Sequence, residues 1–403
     1  MAESLTGVGS TSNALPLISG DSSSRSGKHR AHTRRGILDD LYLSQLIPTV
    51  LIVMIGIITI WSASLVIDDA DFTSHIIGIV LGTVVAIVIW RFDVRLLEDM
   101  TLPLFIIACV LMILPRIPGL GYEVNGMEGW VQIGSLHFQP SEPAKIVVIF
   151  LMASACAKYN GKIENFSDYV KLCATLLIPL LLIMTLDLGT GLIIFVIGAA
   201  IIICSGAPSK WVAWTIVLIV AAAAFVIIES SIDGIPHILK TYQLNRLTVF
   251  LDPDSDTTDS GYNLLQAKIA VGSGGLFGKG IGNATQAGSG FLPEAHTDFV
   301  FALYAEEFGF VGCIVLLALY AWMILATIQL ARHIDSLFCK LLLVGCASMW
   351  LFQVLENVGM CLGIMPITGI PLPFVSYGSS SMVTQLMAVG VVQSVWCHRA
   401  KAA

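Results

Sequence analysis

Ten separate apolar runs punctuate this chain of 403 residues, and they constrain its fold more than any other feature. They lie near 46–67, 73–90, 98–115, 142–157, 169–185, 189–205, 211–229, 298–331, 338–363 and 374–397. A helix needs about 20 mostly apolar residues to cross roughly 30 Å of hydrocarbon. Composition agrees: 56% of residues are hydrophobic and 12% charged, where ordinary soluble domains carry about 25% charge. Too few charges are present to build a soluble surface, and the apolar content excludes a disordered chain. A net charge of −7 with no basic stripe excludes a nucleic-acid binder. The expected fold is an all-α polytopic integral membrane protein with about ten transmembrane helices. The run at 298–331 exceeds one crossing, so its ends are expected to project from the bilayer or the helix to tilt.

Lys and Arg set the orientation. With the N-terminus inside, 15 of the 21 fall on cytoplasmic segments, and the other six (Arg116, Lys145, Lys240, Arg246, Lys268, Lys279) fall in or beside two long outer loops, 116–141 and 230–297. Both termini are therefore expected in the cytoplasm. Residues 1–45 are Ser/Thr/Gly-rich and then basic, which reads as a disordered cytoplasmic tail. Residues 46–397 form the membrane domain and 398–403 a short tail. Arg34-Arg35 resembles an export signal, but the following apolar run is too long for a signal peptide. The nine cysteines lie in spans or on the cytoplasmic side, with no CxxC spacing, and read as packing residues.

The unusual polar residues gather on the outer side. The first outer loop carries Trp130, Gln139, Ser141, Glu142 and Lys145. Glu142 and Lys145 stand three apart where a helix re-enters the membrane, so they share a face and reduce each other's burial cost. That pair is equally readable as structural, and Trp130 as an interfacial anchor. In the second loop, Gly261–Val271 has apolar positions at 264, 265, 269 and 271, as in an amphipathic helix on the membrane surface. Gly272-Ser-Gly-Gly-Leu-Phe-Gly-Lys-Gly280 looks like a phosphate loop but fails its spacing at 273 and 280. It reads instead as a flexible turn that lets backbone approach a ligand. Glu294, His296, Thr297 and Asp298 crowd the loop's end; a plain helix cap at Thr297 or Asp298 is the simpler reading. Asp187, Glu306, Glu307 and Glu356 lie within apolar surroundings and are functional suspects for that reason.

These stretches resemble the RodA–FtsW–SpoVE family, the SEDS proteins. The resemblance is carried by Gly129-Trp130 with Gln139-Pro-Ser-Glu142-x-x-Lys145, Asp187-Leu-Gly-Thr190, Phe250-Leu-Asp-Pro253, Gly261-Tyr-Asn263 and Gly272–Gly278. Its most specific parts are Phe291-Leu-Pro-Glu-Ala-His-Thr-Asp-Phe299, Glu306-Glu-Phe-Gly309 and Pro366-x-Thr-Gly-Ile-Pro-Leu-Pro-Phe-Val-Ser-Tyr-Gly378. The resemblance implies a peptidoglycan glycosyltransferase that polymerises lipid II on the outer face of the cytoplasmic membrane of a bacterium. It also implies a class B penicillin-binding protein as crosslinking partner, alongside other membrane proteins of the elongation or division complex. The family's essential acidic residue falls on Asp298, its loop Trp on Trp130, and its Glu/Lys pair on Glu142 and Lys145. Gly282-Asn-Ala-Thr-Gln286 and Asn357-Val-Gly-Met360 are more similar to RodA than to FtsW, which favours elongation over division. Gly129, Ala284 and Ser379 depart from the family pattern.

The chemistry needs a base for the acceptor sugar hydroxyl, expected to be Asp298, and positive charge beside the leaving diphosphate. Lys145, Arg246 or a divalent cation (Mg or Mn) would supply that charge, and no nucleotide is required. The expected substrate contacts are Trp130, Gln139, Ser141, Glu142, Lys145, Arg246, Glu294, His296, Thr297, Ser376 and Tyr377. Two rivals come from other classes: a lipid II flippase, and a non-catalytic scaffold of the elongation or division complex. A flippase predicts a polar path between spans and inverted repeats, and no convincing repeat is visible.

Overall fold

The structure, a computed structural model, describes residues 37–67, 69–124, 127–133, 136–230 and 260–399. Arg246, the Phe250–Pro253 motif and most of the basic N-terminal tail lie outside the described residues. Each of the ten apolar runs maps onto one helix: α1 (Leu43–Ser64), α2 (Phe72–Arg91), α3 (Thr101–Ile113), α4 (Ser141–Ala157), α5 (Phe166–Met184), α6 (Leu188–Cys204), α7 (Ser209–Ser230), α10 (Val300–His333), α11 (Leu337–Leu362) and α12 (Ser379–His398). The intervening α8 (Ser260–Ser273) and α9 (Thr285–Gly288) belong to the second outer loop. Among the described residues, α1, α2, α5, α10 and α11 are long and apolar enough to cross a membrane unaided. The run expected from 374 starts as helix only at Ser379, because residues 374–378 finish a loop.

Local signals explain many of the boundaries. Asp71, Asp187 and Ser336 accept backbone N–H bonds at the starts of α2, α6 and α11. Gly363 ends α11 in the left-handed conformation that suits glycine. At the centre stands α4, buried along its length apart from half-buried Pro143 and Val147, with α3, α6 and α11 packed around it. Polar side chains join helices inside this apolar setting, where amide groups find no water. Trp350 donates to Gln385 Oε1 (2.9 Å) and Gln385 to Gln353 Oε1 (3.1 Å), linking α11 and α12. By contrast, α7 is held at its start, where Thr215 meets the Tyr169 hydroxyl at 2.7 Å. Its described side chains from Ile216 to Phe225 are all exposed.

Two features depart from the sequence reading. The first outer loop folds into an antiparallel sheet of order β1-β2-β3, with β1 Gly121–Val124, β2 Met127–Ile133 and β3 Leu136–Phe138. Tyr122 pairs with Trp130 across it, and Val131 with Phe138. The second is a break in α10 at Gly309, whose φ of 66° and ψ of −167° are not helical. Neither projection nor tilt alone absorbs the long run; the helix is interrupted, and the part after the break is long enough to cross by itself.

The break is repaired by the glycine-rich segment. A continuous helix would bond Phe310 N–H to the Glu306 carbonyl and Val311 N–H to the Glu307 carbonyl. Instead Lys279 N–H donates to Glu306 O (2.9 Å), Gly280 N–H to Glu307 O (3.0 Å), Phe310 N–H to Gly275 O (2.9 Å) and Val311 N–H to Leu276 O (3.1 Å). Two lost helical bonds are replaced by four between segments, as backbone in an apolar setting requires. The turn expected to approach a ligand therefore approaches α10. A Cβ at Gly309 would collide with Gly278 N and Phe277 N, and one at Gly278 with the Glu307 carbonyl. The amphipathic helix is present as α8, with Leu264, Ala267 and Ala270 buried and Leu265 and Ile269 exposed.

Candidate functional site

The segment before α10 is built around a carbonyl group. Glu294 takes a positive φ of 51°, unusual for a residue with a side chain. Its carbonyl accepts N–H bonds from Thr297, Asp298 and Phe299, each at 3.2 Å. Its carboxylate accepts from the Thr297 hydroxyl at 2.7 Å. The cap position of α10 belongs to Phe299, with no side-chain cap bond. The simple capping reading of Thr297 and Asp298 therefore fails.

Three consecutive carbonyls are then each held by a different donor. Tyr377 N–H donates to His296 O (2.9 Å), the Ser376 hydroxyl to Thr297 O (2.6 Å), and Asn357 Nδ2 to Asp298 O (2.7 Å). Asn357 also donates to Ile370 O at 2.8 Å. The main chain that carries Asp298 is thus fixed from two sides, while the residue itself stays partly exposed. His296 is buried, and burial holds its imidazole below the usual range, partly offset by the carboxylates of Glu294 and Asp69.

The loop 366–378 is the hub of this arrangement. Thr368 donates to Glu356 Oε1 (2.5 Å), and Leu372 N–H to Ser376 Oγ (2.8 Å). The Tyr320 hydroxyl donates to Pro373 O at 2.5 Å. Just beyond the loop, Ser380 Oγ accepts from Gln139 N–H at 3.3 Å, which ties in the start of α4. The loop so connects α10 and α11, and α12 directly after it reaches the first outer loop.

The expected contact residues divide accordingly. Glu294, His296, Thr297, Asp298, Ser376 and Tyr377 come together, and Gln139 joins them through Ser380. Ser376 uses its hydroxyl inside the protein, as acceptor and as donor. Glu142 and Lys145 form an ion pair at 2.6 Å whose side chains are 3% and 0% exposed, so the Lys145 ammonium faces inward. Ser141 Oγ and Glu142 Oε2 are buried beside it with no hydrogen-bond partner. Trp130 sits half-buried on β2.

The four suspect carboxylates in apolar surroundings are locally engaged. Asp187 caps α6 through Thr190 N–H (3.1 Å) and hydroxyl (2.6 Å). Glu306 accepts from Lys279 Nζ (2.6 Å), from Thr285 N–H and hydroxyl (2.9 and 2.8 Å), and from Gln286 N–H (3.2 Å). Glu307 accepts from the Ser62 hydroxyl and from Gly282 N–H at 3.1 Å. Glu356 holds Thr368. Sequence reasoning singled out neither His75 nor the positioning role of Asn357. An amide beside a carboxylate inside an apolar run was the available signal for the latter.

Residues 43–401 match the profile of the FtsW/RodA/SpoVE family, described as "Cell cycle protein". The peptidoglycan glycosyltransferase MrdB of Escherichia coli (strain K12) is 34% identical over 358 residues, covering 87% of this chain and 94% of its own. The probable peptidoglycan glycosyltransferase FtsW of Coxiella burnetii is 34% identical over 359 residues, covering 85% and 93%. A chain of a peptidoglycan synthase complex, solved to describe the coordination of polymerization and crosslinking, superposes with a TM-score of 0.73 at 29% identity, covering 90% of this chain and 99% of its own.

Proposed function

The chain belongs to the FtsW/RodA/SpoVE family of cell cycle proteins, and we propose that it is a peptidoglycan glycosyltransferase that joins lipid II units into glycan strands at the outer face of a bacterial inner membrane. Relatives named as peptidoglycan glycosyltransferases, matched over most of both chains, support the enzymatic assignment. The observation that carries the site is the lattice of three donors on the carbonyls of His296, Thr297 and Asp298. It holds one partly exposed carboxylate-bearing residue in a fixed place at the outer end of the bundle, as a base requires.

In the reaction, an acceptor sugar hydroxyl passes its proton to the Asp298 carboxylate as its oxygen attacks the anomeric carbon of the donor. The bond from that carbon to the diphosphate oxygen breaks, with inversion. Such a base contributes about 10²–10⁴-fold. Charge on the diphosphate is balanced by Arg246 rather than by Lys145, whose ammonium is bound to Glu142. A divalent cation, Mg or Mn, would supply further positive charge beside the diphosphate. Among the described residues no group of three His, Cys, Asp or Glu side chains is gathered to hold a metal, and no step is routed through one. The lipid tails stay in the bilayer throughout.

Both termini face the cytoplasm, following the Lys/Arg bias. A class B penicillin-binding protein crosslinks the product; the similarity to a chain of a synthase complex supports this. Relatives from both branches are 34% identical, so the role in elongation rests on the Gly282–Gln286 and Asn357–Met360 motifs. Restoration of rod shape, and not of septation, in cells lacking the corresponding protein tests that choice. The local engagement of Asp187, Glu306, Glu307 and Glu356 argues against a flippase path. Purified protein incubated with labelled lipid II is expected to yield lipid-linked glycan chains. Transbilayer movement of lipid II without any polymer would overturn the assignment.

A further inference from the structure

The buried residues of α2, His75, Gly78, Gly82 and Trp90, fall along one face of the helix. That face lies against α12 with little between the two backbones. A Cβ at Gly78 would stand 2.8 Å from Ser379 Cα, and one at Gly82 2.7 Å from Leu386 Cδ1. Small residues at such a contact let two membrane helices pack closely. At the outer end of the stripe the small residues give way to His75, which is wholly buried.

His75 meets the loop that holds the Asp298 segment. Its ring stacks on Tyr377, with centroids 6.4 Å apart and planes 25° from parallel. Tyr377 in turn packs on His296, at 5.4 Å and 53°, and donates its N–H to the His296 carbonyl. A continuous column of three rings therefore runs from α2 to the residue two before Asp298. Both ring nitrogens of His75 are buried without a hydrogen-bond partner. Such atoms carry a desolvation cost that an apolar side chain would avoid. What the imidazole offers at this place is a small flat face against Tyr377.

We propose that His75 is a positioning residue for glycan synthesis, an inference that rests on the function assigned above. It supports Tyr377 from the α2 side; Tyr377 supports His296; the carbonyl lattice then keeps Asp298 aligned with the acceptor hydroxyl. His75 acts through its neighbour and takes no proton from substrate.

The test uses the full chain purified in detergent, with labelled lipid II as substrate and thermal melting as the measure of folding. His75→Ala is expected to lower kcat by about 10- to 100-fold with an unchanged KM, since misalignment and not binding is affected. His75→Phe, which keeps a flat ring, recovers most of that loss, and His75→Gln does not. Tyr377→Leu gives the same loss confined to kcat, and the His75→Ala/Tyr377→Leu double variant is no worse than either single one. Wild-type kcat in His75→Ala, failure of a well-folded His75→Phe, or losses that add in the double variant would each overturn the inference. So would activity that falls only in step with the folded fraction. Asp298→Asn in the same assay separates the two levels. If it polymerises normally, the assigned function is at fault; if it is inactive while His75→Ala is normal, only the role of His75 falls.

Discussion

Asp298 lies eight residues before Glu306 and nine before Glu307 on one stretch of chain, yet the protein anchors the two places differently. Around Asp298 it is the main chain that is gripped, by Tyr377, Ser376 and Asn357, and the residue stays partly exposed. Around Glu306 and Glu307 it is the side chains that are gripped. Their carboxylates are buried, and they anchor the 279–286 segment and α1. A buried carboxylate that accepts bonds from other segments of its own protein is a bracket. Asp298, fixed by its backbone and partly exposed, is the residue proposed for the chemistry. Intramembrane acidity alone does not separate the two.

The comparison breaks most visibly at Asp298 itself. Asp298→Asn is expected to lower glycan synthesis by about 10²–10⁴-fold, with melting unchanged. Glu306→Ala should do the reverse: it strands the Lys279 ammonium and loosens Thr285 and Gln286, at a cost of about 3–5 kcal/mol. Thermal melting checks the loss, and the molecules that remain folded keep their activity. Asn357→Ala sharpens the contrast, because it releases Asp298 O and Ile370 O together. A stability loss of about 1–3 kcal/mol is expected, accompanied by a kcat deficit larger than the folded fraction explains. Gly309→Ala forces a side chain into a positive-φ conformation that is essentially confined to glycine, at a cost of about 1–3 kcal/mol, and its collision with Gly278 N adds to this. Denaturation should find it less stable and no less active per folded molecule. The smallest effect is on pH. His296 is held below its ordinary value of 6.5 by burial, so the unfolded chain binds the proton more readily. Stability therefore falls as pH drops through the window just under 6.5, and His296→Phe should flatten that fall in a melting series.

The helices were legible because a run of apolar residues is by itself sufficient cause for a membrane helix. The sheet was not, since strands of three to seven residues interrupted by Gly129 carry too little pattern. The break in α10 was hidden for another reason. Gly309 looks like a tolerated glycine in an apolar helix, and the backbone that replaces its bonds comes from residues 275–280, distant in sequence. At the proposed site, the family resemblance pointed to Asp298, but nothing in the sequence pointed to the donors on its main chain, because carbonyl groups are the same in every residue type. Lys145 was expected beside a diphosphate from its charge, and beside Glu142 from their spacing; the packing of α4 favours the second, with the ammonium turned inward to Glu142.

The most direct test sets the two kinds of carboxylate side by side: glycan synthesis from labelled lipid II per folded molecule, for Asp298→Asn and for Glu307→Gln. The account predicts that the first protein melts like the wild type and makes polymer about 10²–10⁴-fold more slowly, while the second melts lower and polymerises normally for as long as it stays folded. Polymer from Asp298→Asn at the wild-type rate, or a well-folded Glu307→Gln that makes none, would contradict it.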